Sequence, residues 1–203
     1  MLVVIAAIGA TLGDELLASS SSTAASPIDV PRGEHRAPGS EHHGHRSEHR
    51  GALGEADGAV PDGTTVFDDE IPGVAKLDPA LLGHLRQAAT DAADDGVELF
   101  VDSGWRSPEY QSQLFREAVS KYGSEEEAAR WVATPNTSAH VSGDAVDIGP
   151  AAATAWLSEH GAEYGLCQIY ANEPWHYELR PEAVDHRCPA MYADASHDPR
   201  MRQ

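Results

Sequence analysis

The chain has 203 residues, 41% of them hydrophobic, and a formal net charge of −19. That length supports one domain with a real core plus some unstructured chain, and the hydrophobic share fits a soluble globular protein. From position 61 onward 10 basic residues stand against 25 acidic ones, so the acidity belongs to the folded part; a field of that sign repels phosphate backbones and argues against nucleic acid as a partner.

The first apolar run, LVVIAAIGATLG, is too short to span a bilayer comfortably and ends at Asp14 and Glu15. Residues 1–17 read as the hydrophobic region of a secretory signal peptide, cleaved or retained as an anchor, although no Lys or Arg precedes it. A loose apolar N-terminus is the other reading, and only a retained segment would bring the chain to a membrane. Residues 18–60 are rich in Ser, Ala, Gly, Pro and charge, so they bury too little to offset the entropy of ordering and read as a disordered linker. Within them His35, His42, His43, His45 and His49 could store zinc weakly. A solvated tether is the stronger reading, because nothing around those imidazoles fixes their geometry.

The domain is expected over residues 61–203. LDPALLGHLRQAATDAADDG reads as a helix, with Asp78 as cap, Pro79 at the first position, a stripe of Leu81, Leu82, Leu85, Ala88 and Ala89, and Gly96 beyond the end. VELFVDSG alternates Val97, Leu99 and Val101, a half-buried strand. Ser107 and Pro108 then start a second helix, which presents Leu114, Ala118 and Tyr122 before Gly123. Ser124 and Glu127 make a capping-box pattern for a short helix through Trp131. A strand is expected from Ala145 to Ile148, a helix from Pro150 to Gly161, and two closing strands in GLCQIY and WHYEL. Helices mixed with strands on short turns, and a terminal hairpin, predict an α+β fold with a small antiparallel β-sheet and flanking helices. Cys167 and Cys188 belong to no CxxC-type motif; they read as a disulfide, which implies an oxidising, extracytoplasmic compartment, and two unrelated thiols are the alternative.

The chemistry concentrates in two stretches. In SAHVSGDAVDIG the strand reading puts Val146 and Ile148 on one face and Asp147 on the other, where a carboxylate is costly to bury unless paired or bound to metal. His140 precedes it in a loop able to fold back, and His176 lies in the last hairpin. His140, Asp147 and His176 supply two imidazoles and one carboxylate, which leaves a fourth tetrahedral position open, as a catalytic zinc site needs. Glu173 is placed to move the proton of an activated water. In NEPWHYE, Pro174 disfavours a helix, so Glu173 and His176 are expected to meet through a turn. Arg106, between a strand and a helix cap, suits a developing oxyanion or a substrate carboxylate, or a plain salt bridge.

Ser138 to Asp147 match the pattern S-x-H-x-x-G-x-A-x-D, and Glu173 to His176 match E-x-W-H. Over roughly residues 64–192 the chain resembles the zinc D-alanyl-D-alanine carboxypeptidases and dipeptidases, a family that shares its fold with phage endopeptidases and the Hedgehog domain. The resemblance implies one zinc ion on His140, Asp147 and His176, Glu173 as catalytic base and Arg106 on the tetrahedral intermediate. It further implies Gln111 in the substrate pocket, Ser138 on the terminal carboxylate of the substrate, and Trp175 packing in support. The expected activity is a secreted or cell-envelope D,D-carboxypeptidase acting on peptidoglycan stem peptides that end in D-Ala-D-Ala. A D-Ala-D-Ala dipeptidase, an L,D-endopeptidase and a non-catalytic zinc-binding interaction domain are the alternatives.

Overall fold

The two longest helices start with one device, a short polar cap followed by proline, as the computed structural model, which describes residues 53–202, shows. A single turn, α1 (Pro72–Ala75), leads into α2 (Pro79–Asp94). Asp78 opens α2 by accepting from the backbone N–H groups of Ala80 at 2.9 Å and Leu81 at 3.1 Å. Strand β1 (Phe100–Ser103) follows. Helix α3 (Pro108–Tyr122) is capped by the Ser107 hydroxyl, which accepts from Tyr110 N–H at 3.1 Å, and closes on Gly123 in the left-handed region. After α4 (Glu125–Ala128) and α5 (Ala139–Ser142) come β2 (Ala145–Gly149), α6 (Ala151–His160), β3 (Leu166–Gln168) and β4 (His176–Leu179).

The four strands form one sheet in the order β1-β2-β4-β3, and each neighbouring pair is antiparallel. Alternation then sorts the side chains. Val101, Val146, Ile148, Leu166 and Tyr177 join Leu81, Leu85, Ala88 and Ala92 of α2 and Ala153, Trp156 and Leu157 of α6 in the main buried cluster. Asp147 and His176 alternate with these core residues, and the register sets the two directly opposite each other. A smaller cluster of Cys167, Ile169, Tyr170, Ala183 and Ala195 lies beside it. The expected Cys167–Cys188 disulfide is present, with the two Cα atoms 5.4 Å apart.

Three boundaries differ from the sequence reading. The strand expected over 97–104 runs only over Phe100–Ser103, and it begins late because its partner β2 ends at Gly149 and Pro150 then turns the chain into α6. The short helix expected through Trp131 stops at Ala128 and continues as a turn. The linker expected to reach residue 60 gives way earlier: Glu55–Asp57 form a 3-10 turn, the Asp57 carbonyl accepts from Ser107 N–H at 2.8 Å, and Val60 packs on the core. The signal-like segment and the histidine tract lie outside the described residues. No helix among the described residues is long and apolar enough to cross a membrane.

Candidate active site

The site begins as a row across the sheet. Ser103 on β1 stands opposite Asp147 on β2, and Asp147 stands opposite His176 on β4. Antiparallel neighbours in such a row are close enough for their side chains to touch. His140, expected in a loop, reaches the same point from the single helical turn α5, which Gly143 ends. Its Nδ1 lies 2.8 Å from the Gly104 carbonyl and donates to it, which turns Nε2 toward Asp147 Oδ1 at 3.4 Å. The glycine of the motif is what lets α5 stop there. Gly143 has φ +82°, and a Cβ on it would lie 2.5 Å from the Lys76 carbonyl oxygen.

His176 uses its other nitrogen. Nδ1 faces Asp147 Oδ1 at 3.2 Å, while Nε2 lies 3.3 Å from Glu178 Oε1. Ligand atoms of His140, Asp147 and His176 thus fall within 4.8 Å of one another, and all three residues are buried. The donor set fits a zinc ion that keeps an open position, since it supplies three protein ligands without thiolates. Beside it, the turn through Pro174 places Glu173 with its Oε1 buried and without any hydrogen-bond partner in the protein. A buried carboxylate oxygen left unpaired is costly in a merely structural role and marks a group facing something the protein itself does not supply.

Electrostatics separate these groups. Burial pushes the Glu173 carboxyl up to about 7, against the attraction of His176. Asp147 is held well below the ordinary carboxylate range, because His140, His176 and Arg106 together overcome its burial. Burial and the neighbouring Arg106 lower His140. Burial also works against charge on His176, but hydrogen bonds to Asp147 and Glu178 outweigh it and raise the imidazole to about 9.

Arg106 is fixed on three sides. Its Nε donates to Ser103 Oγ at 2.8 Å, one terminal nitrogen to Gln111 Oε1 at 3.1 Å and the other to Asp147 Oδ2 at 2.8 Å. Gln111 is fully buried, and its amide nitrogen donates to the Ala133 carbonyl at 2.8 Å. Within the protein, then, Gln111 braces Arg106. Ser138 lines the same cleft, which has a volume of about 220 Å³. Trp175 lines the cleft and is 39% exposed, as is Trp131.

Two contributors escaped the sequence reading. Glu178 was legible, because it is two residues from His176 on one strand and so shares its face. Tyr170, whose ring lies 5.0 Å from that of His176, was not, since only the β3–β4 connection brings it there.

Fold and site together define an α+β domain with two histidines and an aspartate gathered beside a carboxylate with one unpartnered oxygen and a braced guanidinium. Residues 74–182, more than half of the chain, match the family model described as VanY: D-alanyl-D-alanine carboxypeptidase, and the chain belongs to that family. It is 30% identical over 134 residues to a D-alanyl-D-alanine carboxypeptidase of Enterococcus faecalis (strain ATCC 700802 / V583), which covers 54% of this chain and 50% of the relative. The chain thus spans about half the length of that curated relative.

Among solved structures it is similar to a vancomycin-resistance D,D-pentapeptidase VanY variant in complex with Zn(II), at 28% identity and a TM-score of 0.50, covering 55% of this chain and 80% of the other. VanYB in complex with D-alanine-D-alanine gives the same identity and TM-score, with 55% and 79% covered. The LD-carboxypeptidase LdcB is similar at 25% identity and a TM-score of 0.51, covering 65% of this chain and 72% of the other.

Proposed function

We propose that this protein is a zinc-dependent D,D-carboxypeptidase that removes the terminal D-alanine from peptidoglycan stem peptides. The observation that carries the proposal is the buried convergence of His140, Asp147 and His176 beside the unpartnered carboxylate oxygen of Glu173. His140 Nε2, an Asp147 oxygen and His176 Nδ1 would hold the ion. When bound, zinc supplies Lewis acidity that brings the pKa of water toward about 7 and polarises a carbonyl.

The chain's own residues do the rest. Glu173 takes the proton of the attacking water at Oε1 and returns it to the departing amine of D-alanine. Arg106, permanently charged and held by Ser103 and Gln111, offsets the negative charge that develops on the carbonyl oxygen. Gln111 acts through Arg106, and Ser138 helps to hold the terminal carboxylate. The cleft, of about 220 Å³, has room for the end of a stem peptide. The disulfide supports work outside the cytoplasm, where thiols are not kept reduced.

A second reading, removal of D-alanine from an L,D-linked tetrapeptide, is favoured by the similarity to LdcB. Incubating the zinc-loaded chain with acyl-Lys-D-Ala-D-Ala and, separately, with acyl-Lys-D-Ala, and assaying free D-alanine, separates the two. Release from the first alone supports the D,D reading and release from the second alone the L,D reading. No release from either sinks the carboxypeptidase proposal.

A further inference from the structure

We infer that Arg200, near the C-terminus and outside the span matched to the family, is a positioning residue for the metal-ligating face of His176, acting through Glu178. This inference rests on the proposed zinc site. Glu178 is a carboxylate buried in the interior of β4, 1% exposed, where an unpaired charge is strongly disfavoured. One of its oxygens meets His176 Nε2 at 3.3 Å. With Nε2–H donating there, the Nδ1 lone pair is directed at the site, and a charged acceptor behind the ring makes that lone pair a better ligand.

Arg200 determines where that carboxylate sits. Its two terminal nitrogens donate to the two Glu178 oxygens at 2.7 and 3.0 Å, a bidentate fork that fixes the plane of the carboxylate as well as its position. Arg180 adds a single bond to Oε2 at 2.6 Å and cannot set the plane alone. Arg200 is itself held by Asp198, which is fully buried and accepts from Arg200 Nε at 2.9 Å. The same Asp198 carboxylate accepts from Tyr170 Oη at 3.1 Å, and the Tyr170 ring packs against His176.

One aspartate in the C-terminal segment thus steadies both supports of His176, the ring beside it and the carboxylate behind it. The segment is brought back to the sheet by backbone hydrogen bonds that join Tyr192 to Ile169 and Ala171, each 2.9 Å. A purely structural ion pair would need neither the contact with His176 nor the shared plane.

A double-mutant cycle on zinc affinity tests the inference. The full chain and its Arg200→Gln, Glu178→Gln and doubly substituted forms are titrated in competition with a chromophoric chelator, with near-UV circular dichroism and Tm recorded on each metal-free protein. Arg200→Gln is expected to weaken zinc about tenfold and Glu178→Gln by about 10- to 100-fold. The double variant should bind no more weakly than Glu178→Gln alone, because Arg200 acts only through that carboxylate. Should Arg200→Gln not fold, Arg200→Lys, which keeps the charge and loses the fork, takes its place in the cycle and should also weaken zinc.

Zinc affinity within twofold of wild type in the arginine variant, or losses that simply multiply in the double variant, overturns the inference. A wild-type chain that binds no zinc overturns the proposed function and this inference together, whereas wild-type binding that the variants leave unchanged overturns this inference alone.

Discussion

At the scale of single residues, the site works by setting neighbouring groups to different charge states. Glu173 is raised to about 7 by burial, so in the metal-free protein its contribution to stability is full below its ordinary value of 4.5 and is lost as pH rises through 7. Glu173→Gln removes that titration. Thermal unfolding of the metal-free proteins at pH 8 should therefore find the variant more stable than wild type, and the advantage should vanish at pH 4. In the zinc-loaded protein Glu173→Ala should keep the metal and lose about 10²–10⁴ in kcat, whereas His176→Ala should lose the metal itself. Metal content by mass spectrometry beside D-alanine release distinguishes the two, and full activity in Glu173→Ala would remove it as the base. Arg106→Lys retains the charge but not the three-sided bracing by Ser103, Gln111 and Asp147. It should lose about 10²–10³ in kcat with zinc content unchanged.

At the scale of elements, the sequence pattern and the structure agree wherever a cap or a period decides. Asp78, Ser107 and Ser124 cap helices as read from the chain, because capping is a local bond between residues three apart. The strand 145–148 was legible for a similar reason, since an aspartate alternating with Val146 and Ile148 has only one satisfactory orientation. Where pairing decides, the boundaries moved, and β1 begins late because β2 has no residue left to pair with it. Gly143→Ala tests the junction between α5 and β2. With φ +82° and the Lys76 carbonyl in the way, alanine should cost about 1–3 kcal/mol in urea unfolding and shift His140 with it. Leu81→Ala, at a fully buried position on α2, should cost about 2–5 kcal/mol by the same measurement while leaving zinc affinity unchanged.

At the scale of the whole molecule, the segment that follows β4 is tied back to the sheet by one covalent link and a web of buried carboxylates. The disulfide closes a loop with a sequence separation of 21, which corresponds to about 3 kcal/mol of stabilisation. Scanning calorimetry with and without reductant should show Tm falling on reduction. The carboxylates set the response to acid. Asp194 is lowered from its ordinary 3.8 to about 2, its bonds with Ser196, His197 and Arg130 prevailing over burial. Glu178 is likewise held far below its ordinary 4.5, its bonds with His176 and Arg200 prevailing over burial. Both contribute stability that is present above the ordinary carboxylate values and lost as pH falls toward 2. Urea midpoints should therefore decline between pH 5 and 2, and Glu178→Gln should make that decline shallower.

The sequence by itself determined the fold class, the starts of α2, α3 and α4 and which groups gather in the cleft, because caps, alternation and the set His140, Asp147, His176 with Glu173 are written within stretches of ten or so residues. It also made the turn at Pro174 legible, since proline restricts the residue before it whatever surrounds them. Only the tertiary structure decided that His176 presents Nδ1 rather than Nε2, that Gln111 braces Arg106, and that Arg200 reaches Glu178. Those facts depend on strand register and on contacts between residues far apart in the chain, and no local rule of spacing encodes which distant side chain will complete a buried charge.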